Sequence, residues 1–394
     1  MSILTGLIRF FRIPGVWKIL AAMLVYGCGT GILGPMNAIY LKNGLHLSKL
    51  EISLLVSITL VINMSVTFFS GLLSDHMKNR KYLPIIASAI SICGLFGYDH
   101  ANSFITALIF YALSTTPSGA MVGQLYAMAR SHFAEEAPDI VEIGIVWLRT
   151  LMSIGFFIGL LLGAQLYTLV TFHGVIIGNL ICYAIILILF VFYRERHAVA
   201  TLKRQEGTSI EWVTLVAVLM ILCCDQVRGL YFPLMVDTIY KNPTVVSHLW
   251  SVQVIFEFVW MTLAGVAAQR YGGLRVTIFA GFAALFVYCV YAMHPALPWL
   301  YAAQPIYSFF VSVINTVTMG IIQRMFLHRA GFGSSLYFVL SQGASLIGYM
   351  IPNVVSGFSP HIFYLPAMLM VVAVGLLFGQ QYFAAKARVT DLSA

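Results

Sequence analysis

The sequence predicts an all-α polytopic membrane protein with twelve transmembrane helices in two six-helix halves. Three observations carry that expectation. Of the 394 residues 60% are hydrophobic and only 9% charged, against about a quarter charged in a soluble domain. The apolar residues gather into twelve runs, most of them near the length of about 20 residues that a spanning helix needs. Lysine and arginine concentrate in alternate breaks between those runs. A bilayer reconciles such a composition with folding, because lipid becomes the outer solvent and each helix bonds its own backbone.

The runs cover residues 15–41, 50–73, 82–98, 102–128, 140–166, 172–193, 212–238, 245–268, 274–292, 297–322, 331–356 and 360–384. The first follows Arg9, Arg12 and Lys18 and is long enough to span, so it reads as a helix of the protein rather than a cleavable signal. The longest polar interval, RERHAVATLKRQEGTSIE at 194–211, divides the runs six and six. It reads as a cytoplasmic linker between an N-terminal half, 1–193, and a C-terminal half, 212–394. With both termini inside, seventeen of the 22 Lys and Arg fall on the inner face. Lys42, Lys49 and Lys241 fall outside, and Arg149 and Arg228 lie within the membrane. That asymmetry sets the orientation by the positive-inside rule. The net charge of +8 is therefore a topology signal. Nucleic-acid binding would need basic residues interleaved with aromatics on one face, and the sequence has no such pattern. The six cysteines all stand in apolar runs without metal-ligand spacing and read as small apolar helix residues.

The two halves repeat. GILGP in the first span and GLYFP in the seventh align Gly31–Pro35 with Gly229–Pro233, and GLLSDHMKNRK after the second span aligns with GVAAQRYGGLR after the eighth. The offsets are 198 and 194 residues, the internal symmetry that transporters built from repeats display. GLLSDHMKNRK resembles the signature loop of the major facilitator superfamily, with Gly71, Leu73, Asp75, Arg80 and Lys81 in the expected places. It departs from that signature at His76 and Lys78, and the second copy carries Gln269 where the Asp would stand. A narrower resemblance, to bacterial sugar efflux transporters, rests on four features. These are QLYAMAR at 124–130, Arg149 in the fifth span, FEFVWMTLAG at 256–265 with its Glu257, and HRAGFGSSLY at 328–337. Arg324, beside Gln323, stands where that family would have an acidic residue. The resemblance implies the major facilitator fold and export of sugars or glycosides, driven by the proton gradient across a bacterial inner membrane.

The membrane-embedded charges are the first site candidates. Asp225 lies about 20 Å into the seventh span at ~1.5 Å per residue, in a hydrocarbon core about 30 Å thick. Arg228, three residues on, shares its helix face, so the two can partly neutralise each other. Glu257 reaches the middle of the eighth span and has no basic residue within four positions. Each such charge costs ~2.5–3.5 kcal/mol at a helix centre, so with Arg149 the four sum to roughly 10 kcal/mol unless they face water or each other. A structural ion pair accounts for Asp225 with Arg228 as well as a transport role does. Glu257, and with it Asp225, reads as a proton carrier, since a carboxylate in a poorly hydrated site can bind and release a proton in the working range. Arg149 stays charged and is expected to bind substrate hydroxyls or tune the acids.

Asn63, Gln253, Asn315 and Gln342 lie at similar depth, with Asn37 and Gln124 nearer their span ends. Singly each reads as an interhelical hydrogen bond. As a set with Arg149, Arg228, Trp147, Trp260 and Tyr26 they supply the paired donors, acceptors and aromatic faces that a sugar needs. Gly155, Gly159 and Gly163, four apart on one face of the fifth span, read as a close helix contact.

The sequence thus points to a proton-coupled exporter of small molecules, a monomer without cofactor or metal, working by alternating access about one central site. A multidrug exporter of the same fold is the alternative, favoured by the aromatic and Met content. An enzyme is not expected, because neither H-E-x-x-H nor G-x-S-x-G occurs. By the superfamily resemblance Asp75 meets the N-terminus of the eleventh helix near Gly331–Ser335, where an anion is favoured by about 0.3–2 kcal/mol. Asp75→Asn is then expected to lower transport while leaving substrate binding nearly intact. Transport and binding measured on one preparation check this, and equal loss of both removes the gating role.

Overall fold

Runs of this length and polarity satisfy their backbone in lipid as helices, and the computed structural model of the chain has a helix over each of the twelve. It describes residues 13–77, 79–138, 141–194, 211–325 and 330–393. The first four helices are α1 (Trp17–Ile39, ending in a π turn at Tyr40–Gly44), α2 (Lys49–His76), α3 (Tyr82–Asp99) and α4 (Phe104–Glu136). The helical stretch Val141–Val191 follows, broken at Val170 and Thr171, whose dihedrals are not helical; its limbs are α5 (141–169) and α6 (172–191). Next come α7 (Trp212–Tyr240), α8 (Thr244–Tyr271) and α9 (Gly273–Ala292). α10 (Leu297–Val313) continues through a π turn at Ile314–Thr318 into Met319–Met325, and α11 (Ala330–Met350) and α12 (Tyr364–Ser393) complete the set. Among the described residues ten helices are long and apolar enough to cross a membrane, and one of these, Gly144–Val191, is the stretch that the break divides.

Local chemistry sets several boundaries. At α2 the Ser48 hydroxyl accepts from the Glu51 amide while the Glu51 carboxylate accepts from the Ser48 amide at 2.8 Å, a reciprocal cap that satisfies orphan donors. Ser103 and Thr106 do the same for α4. The break at 170–171 is a reversal. Leu166 and Gly178 would be about 18 Å apart in a straight helix, yet a Cβ on Gly178 would strike the Leu166 side chain. α5 and α6 are therefore an antiparallel pair, with Thr171 at φ 58 in the turn. The polar segment 195–210 lies outside the described residues.

The described residues group into two compact units, within Met1–Leu202 plus Val246–His248 and within Lys203–Val245 plus Leu249–Ala394. In the first unit α1 packs along α5 and α6, and α3 packs on α4 and on the α5–α6 pair. In the second, α7 packs against α11 and α12, and α9 against α10 and α12. α7 is covered on nearly all sides from Thr214 to Asp237, as befits a helix apolar all round. Many large side chains left exposed along the helices are apolar, Phe68, Leu169, Phe279 and Met368 among them. That is the reverse of a soluble surface and fits one facing lipid.

The α1–α5 seam is the tightest contact in the first unit. A Cβ on Gly155 would fall on the Leu24 carbonyl oxygen, and one on Gly159 on that of Cys28. From the other side, Cβ atoms on Gly27 and Gly31 would fall on the carbonyls of Met152 and Phe156. The expected glycine face of the fifth span thus meets a glycine face of the first, and backbone lies on backbone. No rotamer change relieves such a clash. Gly159→Ala is expected to destabilise the protein by about 1–3 kcal/mol, the usual cost of overpacking, read as a fall in melting temperature in detergent. Gly34→Ala on the same helix meets nothing within 4 Å and should leave it unchanged or raise it.

Candidate functional site

Asp225 and Arg228 stand on one face of α7 but do not pair. The Tyr307 hydroxyl, from α10, donates to Asp225 Oδ1 at 2.7 Å. The ring of the same tyrosine lies 4.4 Å from the Arg228 guanidinium. Phe232, one turn along α7, and Trp250 of α8 also face that guanidinium, at 4.6 and 5.3 Å. Arg228 Nη2 donates to Gln304 Oε1 at 2.9 Å, and Gln304 is held in turn by donating to the Tyr291 hydroxyl at 3.0 Å and the Leu300 carbonyl at 2.8 Å. The arginine is 4% exposed, and its Nε is buried without a hydrogen-bond partner. Cation–π contacts of a desolvated guanidinium are worth about 2 kcal/mol or more, so three rings and one amide offset a large part of its burial cost. Tyr307 stands between the two opposite charges and serves both.

Glu257 is half-buried on α8, and Gln253, one turn before it, is buried with its Oε1 unpartnered. The backbone carbonyls of both accept hydroxyls from α10. Ser308 bonds the carbonyl of Gln253, and Ser312 that of Glu257 at 3.4 Å. Trp260 Nε1 closes the row by donating to the Pro305 carbonyl at 2.9 Å. Asn315 stands half-buried in the α10 π turn and Gln342 half-buried on α11. Neither bonds Asp225 or Arg228, whose side-chain partners are Tyr307 and Gln304.

The first unit holds a different set. Tyr26 of α1 lies beside Ser118 and Tyr126 of α4, and Tyr126 lies beside Arg149 of α5. Arg149 is exposed and Trp147 half-buried. Gln124 is 5% exposed with Oε1 unpartnered, an acceptor that a hydroxyl could fill. Asn63 instead donates to the Thr115 and Thr116 carbonyls at 3.0 and 2.9 Å, beside Pro117 within α4. Asn37 accepts the Tyr98 hydroxyl at 2.8 Å. Both asparagines tie helices together within this unit. Every acidic residue of α1–α6 stands at a helix end, as Glu51, Asp99 and Glu135 do, so carboxylates at mid-helix belong to the second unit.

Of the signature loop, the side chains of Gly71 and Asp75 lie outside the described residues, as do Lys78 and the side chains from Gly331 to Ser335. Arg80 is half-buried at the turn into α3. Lys81 donates to the Tyr193 carbonyl at 3.2 Å and Lys18 to that of Phe192. Two cations thus close the C-terminal end of α6, where its carbonyl dipoles favour positive charge. Among the described residues no group of three or more His, Cys, Asp or Glu could hold a metal ion. Tyr307, Gln304, Tyr288 and Tyr291 were not foreseeable from the sequence. In a chain with 20 tyrosines none carries a signal of its own, and their partners lie far away along the chain.

The sequence profile described as Major Facilitator Superfamily matches residues 19–236, more than half of the chain. A Deinococcus radiodurans protein, named as a candidate sugar efflux transporter, is 22% identical over 92% of this chain and 96% of its own length. An uncharacterised transporter of Bacillus subtilis is 23% identical over 70% of this chain and 69% of its own. Among solved structures, a mutant of the nucleoside transporter NupG superposes with a TM-score of 0.78 at 14% identity, covering 92% of this chain and 98% of that one. A peptide transporter in complex with alafosfalin gives 0.73 at 11% identity, covering 92% and 94%. At these identities the solved structures speak to the fold.

The network around Arg228 makes a stability prediction. Gln304→Leu strands a buried guanidinium donor, which costs about 1–3 kcal/mol and more for a charged group. A melting temperature several degrees lower in detergent is expected, with a smaller loss in Gln304→Glu, which keeps the acceptor.

Proposed function

The chain belongs to the major facilitator superfamily, and from that premise we propose that this membrane transporter is a proton-coupled exporter of sugars or glycosides working by alternating access. The observation that carries the reading is the pair of acids, Asp225 and Glu257, on the second unit's helices α7 and α8, with a dedicated hydroxyl donor bonded to Asp225. Carboxylates at that depth cost a few kcal/mol each to insert, and ion coupling is a function that offsets the cost. Asp225 and Glu257 are assigned proton binding. Arg228, enclosed by rings and Gln304, acts chiefly as the fixed counter-charge of Asp225, and whatever substrate contact it makes comes through the Nε that no group fills.

Substrate hydroxyls are assigned to Arg149 and Gln124, with Tyr26, Ser118, Tyr126 and Trp147 around them, and on the other unit to Gln253, Asn315 and Gln342. Neutral donors and acceptors, one cation and aromatic faces suit a polyol. The full-length relative named for sugar efflux supports the same substrate class. Asn63 and Asn37, both bonded within the protein, support those residues from behind. The charge asymmetry of the loops supports cytoplasmic termini and a cytoplasmic 194–211 linker, and the likeness to a bacterial relative supports a bacterial inner membrane.

The test is substrate-triggered proton movement in proteoliposomes with a pH dye inside, using a panel of sugars and lipophilic cations. A signal from sugars that Glu257→Gln abolishes is expected. A signal from lipophilic cations instead would make the protein a multidrug exporter, and a sugar signal that survives the substitution would take Glu257 out of the coupling path.

A further inference from the structure

The hydroxyl chain next to Asp225 is uneven in a way that a purely structural network does not require. Tyr307 Oη lies 2.7 Å from Asp225 Oδ1, the length of a well-formed O–H···O bond. On its other side the same oxygen lies 3.4 Å from Tyr288 Oη, well beyond the usual O–H···O range. The three groups belong to α7, α10 and α9, and both tyrosines are fully buried. The remaining charged or titratable groups facing Asp225 are Arg228 and Cys224 on its own helix and Tyr349 of α11. The Tyr349 hydroxyl is engaged by donating to Gln226 at 3.3 Å.

Tyr307 also sits where α10 can shift. Pro305, two residues before it, removes one rung of the helix ladder, and the π turn Ile314–Thr318 interrupts the ladder again about two turns after Tyr307. Between these interruptions Ser308 and Ser312 hold the carbonyls of Gln253 and Glu257.

Resting on the proton-coupled reading above, we propose that Tyr307 is the positioning residue that converts protonation of Asp225 into a movement of α10. In the ionised state Tyr307 donates to Asp225. When the carboxylate takes a proton, the new carboxyl O–H donates to Tyr307 Oη, and the Tyr307 O–H turns to Tyr288 Oη. One proton is added to one carboxyl oxygen, both tyrosines keep theirs, and the hydrogen bond between α7 and α10 reverses. α10 keeps its bond to α7 without the charge that strengthened it and gains a firmer bond to α9. Its serines carry the shift to the backbone of Glu257, so the two acids communicate through a helix rather than through direct contact.

The experiment is hydrogen exchange by mass spectrometry on the full chain in nanodiscs. Peptides covering 303–318 are compared with an α12 reference peptide across a series of buffers from mildly acidic to mildly alkaline. In wild type the relative exchange of α10 is expected to rise about tenfold toward low pH, the scale of replacing a hydrogen bond to a charged group by one between neutral groups. Asp225→Asn and Tyr307→Phe should both flatten that profile at the loosened level. Tyr288→Phe should keep the high-pH protection and loosen α10 further at low pH. A merely structural tyrosine would lower protection in Tyr307→Phe but leave the pH profile in place. That profile, a flat wild type, or a profile untouched by Asp225→Asn would each overturn the proposal. The pH-dye assay separates the two readings. Proton movement with a flat α10 profile sinks the switch and keeps coupling, and the reverse pattern keeps the switch and sinks coupling.

Discussion

A guanidinium that cannot lose its proton, placed inside a membrane-spanning helix, constrains the second unit more than any other group. Arg228 keeps its charge in any protein environment, so the structure must bring compensation to it. The compensation arrives from three neighbouring helices: Trp250 from α8, Tyr291 through Gln304 from α9 and α10, and Tyr307 from α10. Each of these side chains is then committed, and with it the angle and height of its helix. The aromatic cluster that continues through Tyr288, Phe310 and Phe363 packs outward from those fixed positions. Asp225 completes the set by supplying an opposite charge, one hydroxyl removed.

The first unit solves the same problem of association in lipid by different means. Lipid tails are as apolar as the helices, so apolar burial does not draw helices together there, and close van der Waals contact has to do so. Gly27, Gly31, Gly155 and Gly159 let α1 and α5 meet backbone to backbone, a contact with no alternative arrangement. Hydroxyl networks, by contrast, have two directions of donation and can settle in either. A unit stiffened by glycine contact is suited to presenting fixed polar groups such as Arg149 and Gln124. One stiffened by a hydroxyl network around an acid is suited to responding to a proton.

The span pattern was legible because lipid imposes length and polarity directly on the sequence, residue by residue. The twelve apolar runs and the helices agree closely at most ends, and the glycine spacing on the fifth span announced its close contact. What the sequence concealed were pairings between distant residues. Asp225 and Arg228 at spacing three suggest an ion pair, but the guanidinium reaches past the carboxylate to the rings and Gln304. Tyr307, 82 residues from Asp225, takes the place of the expected partner. The π turn in α10 was hidden for a related reason. Ile314–Thr318 differs from a regular helix in its hydrogen-bond register, and a change of register leaves hydropathy untouched.

Asp225 and Glu257 stand on different helices, and no described bond joins their side chains, yet both are tied to α10. One is tied through a side-chain hydroxyl on the carboxylate and the other through a serine on its backbone carbonyl. A helix bonded to two acids in these unequal ways is an asymmetric connector. Protonation of Asp225 acts on α10 directly, because the bond involves the titrating atoms.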